Sequence, residues 1–302
     1  MWFTVAILGY AISAVVVVMD KFILSKSVKP VLFTFYSSIF VLPILFLVPF
    51  GVIFPALWTD WIIFIISGFF FALGLWVMYL GYLRSEVSHI GPLIGAATPF
   101  FVLILSAIFL HESLGAYKLL AIFILIIGSL LVSFEKSAQH NGLHMGMLLG
   151  VFSSLLFAIS HVAAKYSYDA YGFYSGFVWT RGFLGVFGIL LLLSPSVRKI
   201  FTEKKKEENA AKKEKNQTFL VWWDKILGVA AVVLIQYAIA IGSVTLVNAL
   251  AGAQYAILII LVAVLSKFFP KLFREEYTKM EIVQESIAVI LIGGGLALML
   301  FS

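Results

Sequence analysis

The sequence of 302 residues contains no cysteine and few charged side chains. Without cysteine it forms no disulfide, thiolate metal site or cysteine nucleophile. Only 12% of the residues are charged, whereas 62% are apolar and the mean hydropathy is +1.07. A soluble domain is about half apolar and a quarter charged, and the polar side chains here are too few to cover such a core. The composition excludes a soluble enzyme, a disordered chain and a nucleic-acid binder, and indicates a multi-pass membrane protein.

Ten long apolar runs divide the chain. A bilayer core of about 30 Å needs about 20 apolar residues in a helix, because the backbone polar groups must be satisfied within the segment. By this measure the sequence predicts an all-α membrane protein with ten transmembrane helices. They lie near 3–24, 30–54, 61–83, 89–111, 116–134, 144–165, 173–194, 222–246, 249–268 and 282–301.

A polar stretch at 135–144 separates the first five runs from the last five. An offset of 144 residues places Lys165 on Lys21 and Phe177 on Phe33. Because five is an odd number, the second set crosses the membrane in the opposite direction to the first. We therefore predict two inverted five-helix repeats, at 1–137 and 138–302, with a charged loop at 196–220 in the second. Inverted repeats place a substrate site near the midplane, at their junction.

Residues 74–132 resemble the third to fifth helices of an EamA domain of the drug/metabolite transporter superfamily. The resemblance rests on a small-residue stretch with a proline, on the TPFF sequence of Thr98–Phe101, and on Glu112 at the turn before the last helix of the repeat. The second half departs from the pattern, since Ala256–Leu258 stands where a proline is expected and the turn at Arg274–Glu276 is longer. The resemblance implies a secondary transporter of a small polar or amphipathic metabolite in the cytoplasmic (inner) cell membrane, with export favoured over import.

Lysine and arginine concentrate on one side of the predicted bundle. The odd-numbered loops carry 18 of the 21 basic residues. Since basic residues are enriched on cytoplasmic loops, this count places the 196–225 loop in the cytoplasm and both termini outside. The resemblance implies the opposite orientation, with cytoplasmic termini. The two-repeat architecture is compatible with either orientation.

Arg181 is the strong charge placed deepest in a predicted span. It lies roughly 13 Å along its helix at about 1.5 Å per residue, and a charge at the bilayer centre costs about 2.5–3.5 kcal/mol on insertion scales. A guanidinium matches the geometry of a carboxylate or phosphate. One interpretation is therefore a site for an anionic or zwitterionic substrate. The alternative is a structural arginine bonded to helix carbonyls or to an acidic side chain.

Other polar and aromatic residues within the spans are candidate substrate-binding residues. Amides and phenols at this depth either line a polar cavity or join helices, and aromatic rings either stack on a ligand or pack. A histidine either relays protons, with a reference pKa near 6.5, or holds a structural hydrogen bond. Besides Arg181, the candidates are Gln236, Gln254, Tyr255, Trp76, Tyr79, Trp179, Ser13, Ser154 and His161.

The absence of common ATP-binding and catalytic motifs reduces the number of possible functions. The sequence has no P-loop, HExxH or GxSxG motif, and its aspartates lie at span ends or in loops. We therefore expect a transporter with no ATP drive, no enzymatic activity, no cofactor and no bound metal. A carboxylate deep in the first helix, as in small multidrug pumps, is replaced by Ser13 and Ala14. Organic-cation efflux and a non-transporting membrane scaffold remain alternatives. The expected partners are the lipid bilayer, a small-molecule substrate and a coupling proton or ion, for a monomer or homodimer.

Overall fold

A computed structural model describes residues 1–24, 30–84, 87–133, 145–198, 211–268 and 279–301. Every regular element assigned in these ranges is helical. Short 3₁₀ helices at Leu42–Leu47 and Leu191–Leu193 follow the second and sixth α-helices. The α-helices are α1 (Trp2–Leu24), α2 (Pro30–Ile39), α3 (Trp58–Tyr82), α4 (Val87–Phe109), α5 (Ala116–Ser133), α6 (Met145–Leu190), α7 (Ala211–Ile241), α8 (Val244–Ala249), α9 (Ala251–Phe268) and α10 (Lys279–Phe301).

Nine helical segments of the described ranges are long and apolar enough to cross a membrane. The longest, Met145–Leu193, contains a break at Gly172, whose φ of 73° and ψ of 163° are not helical. A positive φ is accessible to glycine because it has no Cβ. The break separates the predicted sixth and seventh spans, so counting both parts gives ten. The predicted all-α membrane fold is confirmed, and the predicted number of helices approximately fits.

The boundaries in the second half differ from those predicted. Helix α7 begins at Ala211 rather than near 222, because the sequence AKKEKNQ is rich in good helix formers. It ends at Ile241, and Ser243 then caps α8 by accepting a hydrogen bond from the Leu246 amide at 3.0 Å. The polar stretch 135–144 and residues 199–210 of the predicted charged loop lie outside the described residues. The division into repeats at 137/138 stays a prediction.

Helices of the first half pack mainly on helices of the second half. Helix α1 packs on α7, where Gly9 faces Ile235, and α6 packs on α3. The second contact is sealed by two hydrogen bonds, from Ser67 Oγ to the Ser160 carbonyl at 3.1 Å and from Ser160 Oγ to the Ser67 carbonyl at 2.7 Å. Helix α5 packs on α10. Because α6 contains two spans, α7 carries the third span of the second half. The first span of each half therefore packs on the third span of the other half, which is the contact pattern of a twofold relation.

Candidate functional site

A cavity of about 270 Å³ lies where the two halves meet. Helices α1, α3 and α4 of the first half and α6 to α9 of the second half surround it. Its volume is close to the lower end of the range for ligand pockets, about 300 Å³. The polar side chains on its wall are Tyr10, Ser13, Tyr82 and Thr98 from the first half, and His161, Gln236, Asn248, Gln254 and Tyr255 from the second.

A hydrogen bond joins α6 to α8 across the cavity wall. His161 Nδ1 lies 2.7 Å from Oδ1 of Asn248, and Nδ2 of the same amide donates to the Val244 carbonyl at 2.8 Å. Since the amide nitrogen is the donor of Asn248, Oδ1 accepts and His161 Nδ1 donates. The ring of His161 also stacks on Phe157 and lies against Phe71, with centroid separations of 6.4 and 6.0 Å. The imidazole is therefore held in one orientation.

Two tyrosine hydroxyls fix other parts of the wall. Tyr168 is buried in α6 and donates to Oε1 of Gln236 in α7 at 2.8 Å. This bond orients the amide of Gln236, which lines the cavity. Tyr10 in α1 donates to the Val247 carbonyl of α8 at 3.0 Å. The second bond ties the first helix of the chain to the helix that carries Asn248.

Tyr255 fits into a gap left by two glycines of α4. An added Cβ at Gly95 would lie 2.1 Å from Cε2 of Tyr255, and one at Gly91 would lie 3.3 Å from Cε1. Both distances are shorter than ordinary carbon–carbon contacts of about 3.5–4.0 Å. The absence of side chains at these positions therefore sets how deeply the Tyr255 ring enters the junction.

Arg181 lies behind the cavity wall and has no exposed surface. Its Cζ is 4.3 Å from the ring centroid of Phe71 and 5.9 Å from that of Phe177. None of its guanidinium nitrogens has a hydrogen-bond acceptor of good geometry among the described residues, although the Tyr168 hydroxyl is close enough to interact with the charge. The described residues thus supply neither the helix carbonyl nor the acid that a structural arginine requires.

The structure brings together half of the candidate residues and separates the others. Ser13, His161, Gln236, Gln254 and Tyr255 line the cavity. Arg181 reaches it only through Phe71, and its side chain is not among the residues that line the cavity with Gln236 and Gln254.

The remaining candidates are not among the lining residues, although the Tyr79 ring packs on that of Tyr82, which is. Trp179 donates its Nε1 proton to the Ile53 carbonyl at 2.9 Å and packs on Trp61. Ser154 donates to the Gly150 carbonyl of its own helix at 2.9 Å. Trp76 packs against a separate apolar cluster around Leu184, and the Tyr79 hydroxyl lies 3.5 Å from Ser37 Oγ. Whether any of these residues binds substrate stays a prediction.

Sequence reasoning missed several lining residues. Asn248 is an amide within an apolar stretch, a signal equal to the one that identified Gln236. Phe71 and Phe157 are two of 29 phenylalanines, so no sequence signal distinguishes them. Tyr10 is identified only by its partner in α8. Among the described residues, no cluster of three His, Asp or Glu side chains is arranged to hold a metal ion.

One end of the bundle is closed by polar contacts between the halves. Thr245 Oγ1 in α8 donates to Oε2 of Glu112 at 2.5 Å and lies 2.8 Å from Ser106 Oγ. At the same end, but within the second half, Lys165 donates to the Ala240 carbonyl at 3.2 Å and pairs with Asp169 at 2.9 Å. The cavity instead extends toward the opposite end, where α3 ends at Tyr82 and α4 begins.

Comparisons with known proteins agree with this architecture. Residues 1–134 match the model of the EamA-like transporter family. The match covers the first five helices, which make up less than half of the chain. Members of that family are membrane transporters, and the nine apolar helical segments make the chain an integral, multi-pass membrane protein.

The likeness to solved structures extends over both halves. One protein crystal structure aligns with a TM-score of 0.65 at 17% identity, covering 98% of this chain and 94% of the other. At that identity the likeness shows the fold alone. The comparison with curated proteins gives no match.

Proposed function

We propose that this EamA-like protein is a secondary transporter, which moves a small amphipathic metabolite through the central cavity by alternating access. Two inverted five-helix repeats, 1–137 and 138–302, form the moving parts in this proposal. The observation that carries it is the partly polar cavity at the junction of the halves, surrounded by reciprocally packed helices. A site at such a junction is reached from either side when the repeats rock against each other.

The contacts at the two ends of the cavity support one of the two access states. The end with Thr245 and Glu112 is held by hydrogen bonds between the halves, whereas the cavity extends toward the end with Tyr82. Helices alternate in direction, so the Tyr82 end is the side of the charged 196–225 loop. The excess of basic residues there favours the cytoplasm. An opening to the cytoplasm is one of the two access states, and it allows a substrate to be loaded for export.

The chemistry of the wall favours a substrate with an apolar body and a few polar groups. Phe71, Phe157 and Tyr255 provide ring surfaces, while Gln236, Asn248 and Gln254 provide amides. None of the described lining residues carries a carboxylate, so an organic cation would meet ring faces but no counter-charge on the described wall.

Flux into proteoliposomes tests transport directly. A panel of labelled amino acids, sugar phosphates, nucleotide sugars and organic cations is first screened for stabilisation of the purified protein, and the compounds that stabilise it are then assayed for flux. Gly95→Leu fills the cavity beside Tyr255 and should abolish flux of these compounds. Deletion of residues 200–215 should leave flux within about twofold of the intact chain, because none of the described residues that line the cavity falls in this range.

Two results would contradict the proposal. Flux that is unchanged in Gly95→Leu would place the pathway elsewhere. A protein that binds compounds but passes none of them through the bilayer, and whose binding needs residues 200–215, would support the membrane scaffold instead.

A further inference from the structure

The two ring nitrogens of His161 have different roles. Nδ1 donates its proton to Oδ1 of Asn248, because the amide nitrogen of Asn248 is already donating to the Val244 carbonyl. In a neutral imidazole the other nitrogen, Nε2, then carries the lone pair. The ring can take a second proton at Nε2 and keep its hydrogen bond to α8. His161 lines the cavity, so this proton can be supplied from it.

Arg181 provides a second charge close to His161. Both side chains contact the same ring, that of Phe71, the guanidinium at 4.3 Å and the imidazole at 6.0 Å from its centroid. A protonated imidazole and a guanidinium repel each other, more strongly in the protein interior than in water. A proton on His161 is therefore disfavoured as long as the charge of Arg181 is uncompensated.

Other titratable groups around the cavity do not take this role. The phenols on its wall stay neutral near pH 7, and the Tyr168 hydroxyl, near Arg181, is bound to Gln236. Lys165, one turn along α6 from His161, is paired with Asp169. Helices α4, α7 and α8 bring no charged side chain to the described cavity wall. The phenols come from α1, α3 and α9, and are Tyr10, Tyr82 and Tyr255.

We propose that the cavity binds an organic anion and a proton together, the anion paired with Arg181 and the proton held at Nε2 of His161. This inference rests on the proposed transport function. A carboxylate beside Arg181 compensates the guanidinium charge and removes the repulsion that opposes protonation of His161. By linkage, the bound proton strengthens anion binding by the same factor.

The pairing sets the direction in which the proton moves. A monocarboxylate and one proton carry no net charge, so they cross the membrane together as a neutral load. Phe71 lies between the cavity and Arg181, so direct pairing of the anion with the guanidinium requires this ring to move aside. The substrate class is therefore a small carboxylate with an apolar body, carried in the same direction as the proton.

Three probes with one apolar body test this assignment. They are 3-phenylpropionate, the neutral 3-phenylpropanamide and the cationic 3-phenylpropylamine. Their binding to the purified full chain in detergent is measured by calorimetry, at pH values on both sides of about 6.5. Proton uptake on binding is followed with a pH indicator in weak buffer. Binding in detergent avoids passive permeation of the probes.

We expect the carboxylate to bind most tightly, with uptake of a fraction of a proton and with an affinity that rises as the pH falls. His161→Gln still donates to Asn248 but takes no proton, so binding should become independent of pH and proton uptake should vanish. Asn248→Asp places a negative acceptor beside Nδ1, which stabilises the imidazolium and should move the pH dependence to higher pH. Arg181→Gln should lower carboxylate affinity by about tenfold or more, but not amide affinity.

Each contrary result overturns a named part of the proposal. Proton uptake that persists in His161→Gln, or an Asn248→Asp variant with unchanged pH dependence, removes the proton from His161. Tightest binding of the amine, or no binding of the carboxylate, removes the anion site. The flux assay is separate from these titrations. A chain that binds carboxylate together with a proton but shows no flux would support this binding site and contradict the proposed transport function.

Discussion

The two halves of the chain build unequal walls of the cavity. The first half contributes hydroxyls, small residues and rings, such as Tyr10, Ser13, Phe71 and Gly95, whereas the imidazole and all three amides come from the second half. The offset of 144 residues that aligns the halves places Arg181 opposite Ser37 and His161 opposite Val17. Under the predicted repeat, these pairs of positions correspond to each other but differ in chemistry.

This difference indicates that helix packing and substrate recognition depend on different residues. Reciprocal helix packing needs similar shapes in both halves, and small residues such as Gly9 in α1 supply close approach. Recognition needs polar groups at one place only. A transporter of this architecture can therefore change substrate by changing a few residues of one half, while the other half keeps the packing.

The largest expected effect comes from replacing Arg181 with an apolar residue of similar length. We predict that Arg181→Met lowers transport of an anionic substrate by about 10- to 100-fold, because charge-assisted hydrogen bonds to the anion are lost. The thermal stability of the variant should equal or exceed that of the wild type, since an uncompensated buried charge is removed.

The matched control for Arg181 is its counterpart in the first half. Ser37→Ala should leave transport within about twofold, as expected for a substitution of this size outside the site. If Arg181→Met instead loses stability and transport together, or if Ser37→Ala is equally damaging, the contrast between the halves is wrong. Thermal unfolding and proteoliposome flux measure both quantities.

An intermediate effect is expected from the wall formed by the first half. Gly95→Ala should reduce transport by about tenfold, because its Cβ would lie 2.1 Å from the Tyr255 ring and displaces the ring toward the cavity. Gly91→Ala, with a contact of 3.3 Å, should reduce it by less than about threefold. The loss should be greater for larger substrates, as seen in flux of a size series. Equal effects of the two variants would show that shape in this wall is unimportant.

The smallest effect is expected from a single hydrogen bond between the halves. Tyr10→Phe removes the bond to the Val247 carbonyl, which is worth about 0.6 kcal/mol for an average interhelical bond. The closed end should open about threefold more often. Because the chain has no cysteine, a single Ala6→Cys reporter near this end can be labelled with a thiol reagent. Labelling should be faster with Tyr10→Phe than with Ser13→Ala, and equal rates would show that this bond does not hold the end closed.

Several features of this protein could be predicted from the sequence because they depend on composition and local pattern. Apolar runs of about 20 residues define spans wherever they occur, and this reasoning placed the helices within a few residues over most of the chain. The apolar span of α7 begins at Trp222, as predicted, but a charged stretch of helix formers extends the helix back to Ala211. Amides within apolar runs also identified Gln236 and Gln254 as lining residues.

The choice among similar residues could not be predicted in the same way. Trp76 and Trp179 carry the same signal as any aromatic residue in a span, yet they pack in separate apolar clusters. Arg181 was identified by its charge and depth, but its position behind Phe71 depends on how α3 approaches α6. Contacts between residues far apart in sequence decide which side of a helix faces the cavity.

The sequence by itself determined that this chain spans the lipid bilayer as a bundle of helices. Apolar runs of about 20 residues satisfy their backbone polar groups in lipid by forming helices. Only the tertiary structure decided which polar groups meet. The bond between His161 and Asn248 joins residues from helices that no local pattern relates. The shared contact of Arg181 and His161 with Phe71 likewise exists only when three helix segments pack together, since side-chain proximity across helices is set by packing geometry.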